Sequence, residues 1–127
     1  MISREAFSHC EDLEQVVFEP GSAPEEISEM AFKRSGIKSF VAPPSLRRIG
    51  DMAFRDCRRL NDVQLNEDIR ELGWLCFWGT GVADLKLPPQ IEMTPEQLGI
   101  GQADTLVLRL PDGLESVGDG WFAGSDI

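Results

Sequence analysis

Apolar residues recur along the chain in one short motif, in which an aliphatic residue is followed, after four variable positions, by an aromatic residue. The aromatic residues Phe7, Phe32, Phe54 and Phe77 are separated by 25, 22 and 23 residues, and Phe122 follows after a further 45. A fixed period of this length is typical of solenoids, in which each unit buries its apolar face against its neighbours. The pattern therefore predicts stacked coils, with one degenerate copy between residues 77 and 122.

Each unit ends in a run with a period of two, such as Val63 and Leu65 in the third copy, which predicts a short strand with one buried face. The part from the aliphatic to the aromatic residue has near-helical spacing, and a small residue often precedes the aromatic one. We therefore expect one turn of α- or 3₁₀-helix there. Strand and helical turn in each unit predict an α/β solenoid that is right-handed, with a short parallel sheet and about five to six coils.

The third copy, which runs Ile49-Gly50-Asp51-Met52-Ala53-Phe54-Arg55-Asp56-Cys57-Arg58-Arg59-Leu60, is matched by Leu72-Gly73 and Val117-Gly118 at the corresponding points. On these residues the chain resembles the BspA-like branch of the leucine-rich repeat family over nearly its whole length. The resemblance implies a leucine-rich repeat solenoid. It also implies adhesion or ligand binding, because members are mostly surface or extracellular proteins of bacteria and protists. Residues 88–104 depart from the pattern, so we expect an irregular repeat over 88–110.

The length of 127 residues fits one solenoid domain, residues 1–127. Both ends open in mid-repeat without the polar cap that solenoids normally need. We therefore expect a fragment, or a subunit whose ends are capped by other chains or by missing repeats. No apolar run approaches the roughly 20 residues that a membrane span needs, so we expect no direct membrane insertion. The compartment stays open.

Charge is distributed unevenly along the chain. The net charge of −10 argues against nucleic acid as a partner. Residues 33–59 carry a net +6 between residues 1–32, with a net −7, and residues 60–127, with a net −9. Two interpretations are open: neighbouring coils neutralise one another along the stack, or the basic region meets an acidic partner.

The sequence offers little catalytic chemistry. Cys10 and Cys57 hold the same position two coils apart, at about 10 Å, which is too far for a disulfide. We expect these and Cys76 to be reduced and buried. His9 is the single histidine, and no cysteine or histidine pair has metal-ligand spacing. We therefore predict no metal, no cofactor and no enzymatic activity.

Two sets of residues are candidates for binding a partner. One is the outward column on the predicted sheet: Val17, Val41, Gln64, Lys86 and Arg109. The other is Trp74 and Trp78, which would share one face of a helical turn at positions i and i+4. Other copies place polar residues at both tryptophan positions. Alternatively, the sheet is simply solvated and the loop 88–104 folds over the tryptophans.

These features favour a non-catalytic protein–protein interaction module of the BspA-like leucine-rich repeat type, with surface adhesion or ligand binding implied by the resemblance. The alternative is a structural subunit embedded in a larger multiprotein assembly. In that case neighbouring chains would cover the tryptophans and the open ends.

Overall fold

The structure, a computed structural model, describes residues 1–91, 93, 95–100 and 107–109. In chain order its elements are β1 (Glu26–Ile27), β2 (Ser39–Val41), β3 (Arg48–Ile49), β4 (Asp62–Gln64), β5 (Glu71–Leu72), β6 (Asp84–Lys86), α1 (Pro95–Leu98) and β7 (Val107–Arg109). The strand pairs are parallel and join equivalent positions of successive repeats. The predicted repeat solenoid with parallel strands is confirmed, whereas its hand and its number of coils stay predictions.

The strands form two lines along the stack rather than the single sheet that the sequence predicted. The period-two runs form one line, in which β2 pairs with β4 and β6 pairs with β7. The aliphatic residues of the motif form the other, β1-β3-β5, which a bridge from Ile2 to Ile27 extends. We call this second line the aliphatic sheet. We call the outward surface of β2, β4, β6 and β7 the front face.

The segment before and around each aromatic residue is a turn, so the predicted α- or 3₁₀-helical turn is wrong. The turns cover residues 29–34, 51–56 and 74–79. In the part of the chain that the structure describes, α-helix is confined to α1. The reason is the backbone: Met30 and Met52 have φ of 56° and 55°. A right-handed helix cannot continue through residues in the left-handed region.

The amide groups of these turns are satisfied between coils. Each aromatic residue donates its N–H to the carbonyl of the residue before the next aromatic, joining Phe7 to Ala31 at 2.7 Å, Phe32 to Ala53 at 2.8 Å and Phe54 to Cys76 at 2.8 Å. The residues two positions before and after the aromatic residue also donate to the next coil. The N–H of Met30 bonds to the carbonyl of Asp51, and the N–H of Arg34 bonds to the carbonyl of Arg55. Backbone groups that a helix would pair internally are thus paired with the next coil.

The phenylalanine rings form a continuous stack through the core. Neighbouring centroids are 5.2 Å apart for Phe7 and Phe32, 5.3 Å for Phe32 and Phe54, and 5.7 Å for Phe54 and Phe77, with nearly parallel planes. The repeat pattern predicts that Phe54 packs in the core between Phe32 and Phe77, and the structure confirms this, since Phe54 is fully buried in the stack. Phe7 forms the end of the stack and stays 37% exposed.

The glycine after the aliphatic residue of the motif has a packing role. A Cβ at Gly50 would lie 2.7 Å from the backbone nitrogen of Glu29, and one at Gly73 would overlap the backbone of Asp51. Successive coils therefore approach too closely there for any side chain. This contact explains why the glycine follows the aliphatic residue in the third and fourth copies.

The irregular repeat contains α1. The repeat pattern places Ile100, or alternatively Leu98, at the aromatic position of the degenerate copy; both are buried, and the Leu98 carbonyl accepts the N–H of Phe77 at 3.1 Å. The fifth copy, with Phe122 and with Trp121, for which the repeat pattern predicts burial, lies outside the described residues.

Replacing Phe54 with alanine should destabilise the protein by about 3–5 kcal/mol, because the change removes a buried ring with a stacked neighbour on each side. Phe7→Ala is the matched control, and it should cost clearly less because that ring has one stacked neighbour and is partly exposed. Urea unfolding of both variants measures the difference. Equal losses of stability in the two variants would contradict the conclusion that the ring stack is the main packing element of the core.

Candidate functional site

The strands align the predicted outward column on the front face. Val41 pairs in register with Gln64, and Lys86 pairs with Arg109. Val17 lies in the preceding coil, outside any strand, and is 72% exposed, while Val41 is 55% exposed. The sequence therefore correctly identified which positions of each coil point outward. The column that they form changes from apolar to charged along the stack.

Grooves run beside this column. One of about 550 Å³ at the N-terminal end of the front face is lined by Val17, Val41 and Phe18, together with Pro43 and Pro44. A second, of about 450 Å³, is lined by the remaining column residues Gln64, Lys86 and Arg109. All five column residues thus border concave surface, with the apolar part at one end.

Arg109 at the charged end is held by the neighbouring strand. Its Nε and one terminal nitrogen donate to the two carboxylate oxygens of Asp84 at 2.8 and 3.0 Å. These hydrogen bonds, with the charge of Arg109, hold the pKa of Asp84 below its usual value. A depressed carboxyl pKa means that the pair contributes to stability above the ordinary carboxyl pKa and loses that contribution as the pH falls through the lowered value.

Trp74 lies on a different part of the surface, at the edge of the aliphatic sheet. Its side chain is 58% exposed and borders a groove of about 410 Å³ that Ile49, Leu72 and Met93 also line. Its backbone N–H donates to Oδ1 of Asp51 at 2.9 Å. Trp74 therefore presents a large apolar surface that the surrounding coil only partly covers.

Trp78 takes part in the packing between coils. The Arg55 guanidinium lies 5.0 Å from its ring centroid, a cation–π distance, and the ring is 37% exposed. Gly99, with φ of 82°, lies so close that a Cβ there would be 2.7 Å from the Cβ of Trp78. The expectation that both rings share one helical face rested on a helix that these turns do not form. The alternative, in which the loop 88–104 packs onto the tryptophans, fits Trp78 better than Trp74.

Ion pairs connect the basic coils with acidic neighbours. Arg48 lies between Glu26 at 3.9 Å and Glu71 at 3.8 Å, and Lys38 lies 3.4 Å from Glu14. Each exposed pair contributes little to stability. Together they support the interpretation that neighbouring coils neutralise one another, at least at these positions.

The three cysteines are free, but they are not all buried. Cys57 and Cys76 are fully buried, and burial raises the pKa of both thiols. The Cys57 thiol donates to the carbonyl of Phe32 at 2.9 Å. Cys10 is exposed, so its predicted burial is wrong. It lies in the first coil, which packs against a neighbouring coil on one side only in the described part of the chain.

Among the described residues, no three histidine, cysteine, aspartate or glutamate side chains gather in a way that could hold a metal ion. Nor does that part of the chain contain a helix with the length and apolar character needed to cross a bilayer.

Comparison with known proteins now adds to this geometry. The family model for the BspA type leucine rich repeat region matches six copies, over residues 1–98 and 25–127. The chain belongs to the BspA-type leucine-rich repeat family. The BspA-type resemblance inferred from residues 49–60 is thereby confirmed. No curated protein matches the chain.

A solved structure supports the BspA-type repeat fold independently. The crystal structure of the pneumococcal vaccine antigen PcpA is similar, with a TM-score of 0.64 and 23% sequence identity. The match covers 79% of this chain and 25% of the antigen chain, so this chain spans about a quarter of that protein's length. At this identity the likeness shows the fold alone.

Of the three thiols, Cys10 should react quickly with a thiol reagent in the native protein, whereas Cys57 and Cys76 should react only on unfolding. Burial and a raised pKa both lower the amount of accessible thiolate. Mass spectrometry after timed labelling, with and without denaturant, identifies the modified residues. Rapid native labelling of Cys57 would contradict the described packing.

Proposed function

We propose that this BspA-type repeat chain is a non-catalytic protein-interaction module whose partner binds the front face. The observation that carries the proposal is the exposure of Val17 and Val41 beside the apolar groove. Neither side chain contributes to the buried core, because Val17 lies in a loop and Val41 points outward from β2. Contiguous exposed apolar surface with a polar rim is typical of protein interfaces.

The gradient along the column indicates what kind of partner surface fits. The N-terminal end offers valines, Phe18 and two prolines, which favour an apolar segment. The other end offers Gln64 and Lys86, beside an Arg109 that is already paired with Asp84. A protein segment with apolar residues at one end and hydrogen-bonding groups at the other would match this order. Surface adhesion or ligand binding is the finer form of the proposal and rests on the family resemblance.

A second candidate is a structural role within a larger assembly. The exposed Trp74, and the 37% exposed ring of Phe7 at the end of the stack, favour it, since both are apolar groups that a neighbouring chain could cover. Burial of Phe7 by a further coil would also provide the cap expected from the sequence. In this form of the proposal, the binding surfaces are the edge of the aliphatic sheet and the outer side of the first coil.

The double variant Val17→Ser, Val41→Ser should weaken partner binding by about tenfold or more, which corresponds to about 1.4 kcal/mol. Its melting temperature should change little, because both side chains are exposed. The assay compares, by quantitative mass spectrometry, the proteins captured by the wild type and by each variant, and then measures the affinity of the one that depends on the valines.

Trp74→Ala is the control at the other surface. The front-face proposal requires that it keep the partner that the valine variant loses. If Trp74→Ala removes the partner and the valine variant keeps it, the front-face proposal is wrong. Size exclusion of both variants tests the assembly alternative, which predicts a change in oligomeric state with Trp74→Ala.

A further inference from the structure

A small pocket lies between the first and third coils, beside a second coil that is one residue shorter. Four residues lie between Phe32 and Ile37 in the second coil, whereas five lie between Phe54 and Leu60 in the third. Gly36 occupies the shortened segment, and its N–H donates to the carbonyl of Cys10 at 3.0 Å. A side chain at Gly36 would overlap the carbonyl of Glu11. The pocket here has a volume of about 230 Å³, and we call it the notch.

Three arginines, Arg34, Arg58 and Arg59, line the notch together with Glu11 and Asp56. All three arginines are exposed. Asp56 already lies 3.7 Å from Arg55, outside this group. The notch therefore concentrates positive charge in a chain whose net charge is −10.

These arginines lack the ion pairs that five of the nine other basic residues form in the described part of the chain. Within the described residues, none of the three forms an ion pair, whereas Arg4, Lys38, Arg48, Arg55 and Arg109 each do. The chain has 22 acidic residues for 12 basic ones, so acidic partners are plentiful along the stack. Neutralisation between neighbouring coils accounts for the charge of Arg48, which is ion-paired, but not for the three unpaired arginines of the notch.

We infer that the notch binds carboxylate side chains from a short acidic segment of the protein partner, an inference that rests on the proposed interaction function. A guanidinium group matches a carboxylate with two parallel hydrogen bonds, and three such groups around one pocket can hold an acidic side chain inserted between coils. The volume suits one or two side chains rather than a folded surface.

The charge distribution favours an acidic protein segment over a nucleic acid. Along the sequence, residues 1–32, with a net charge of −7, precede the basic coils, and residues 60–127, with a net charge of −9, follow them. A long polyanion would meet repulsion there, because it carries charge well beyond the notch. A short run of glutamate or aspartate engages the notch without reaching those regions.

The test is a titration of the whole chain into a fluorescein-labelled peptide of about ten residues rich in glutamate, followed by anisotropy at about 50 mM salt, where exposed charges are weakly screened. Arg58→Glu and Arg59→Glu should each weaken binding by about tenfold or more. Arg70→Glu, an equal change of charge at an exposed arginine outside the notch and the front face, should stay within about twofold of the wild type. Arg58→Gln should give an intermediate loss.

Several results would overturn the inference. They are no binding by the wild type, an equal loss with Arg70→Glu, or tighter binding of a single-stranded oligonucleotide of the same charge. Melting curves check that the variants fold. Because Arg58 and Arg59 are exposed and form no ion pair among the described residues, the melting temperatures of their variants should match that of the wild type. Partner capture by the Val17→Ser, Val41→Ser variant tests the front face separately, so failure of the notch and failure of the proposed function are distinguishable.

Discussion

Hydrogen bonding between equivalent backbone positions of neighbouring coils is the constraint on which the rest of this structure depends. Because the amides of Phe32 and Phe54 reach the next coil instead of their own turn, a single coil cannot satisfy its own backbone. The same stacking holds the rings 5.2–5.7 Å apart, close to the spacing of neighbouring strands. The glycine at position 73 follows from how closely the coils approach.

This constraint separates the positions that the fold requires from those that it leaves open. Inward positions repeat because each faces its own copy in the next coil. Outward positions are free to differ, and there the chain places Val17 and Val41 beside a groove, Trp74 at the edge of the aliphatic sheet and unpaired arginines at the notch. The notch lies beside the second coil, which is one residue shorter than the coils on either side.

The sequence predicts the repeat, the buried ring of Phe54 and the register of the front face, because one period determines all three. It does not predict the turns, since a near-helical spacing of apolar residues fits a helix as well as a turn with Met30 at positive φ. The two-residue strands of the aliphatic sheet are too short to show alternation. The packing around Trp78 depends on Gly99, which the repeat pattern does not indicate. The same holds for the hydrogen bonds that the Asn66 and Gln90 side chains donate to carbonyls of the preceding coil.

Native-state hydrogen exchange at the amides of Phe32 and Phe54 tests the central claim most directly. Both amides donate to the next coil at 2.8 Å within the buried stack, so we predict that they exchange among the slowest in the protein, at a rate set by opening of the coil interface. The amide of Phe7, which makes the equivalent bond to Ala31 at 2.7 Å in the partly exposed first coil, should exchange faster. Rapid exchange at Phe54, comparable to that of exposed loop amides, would contradict a solenoid held together by bonds between its coils.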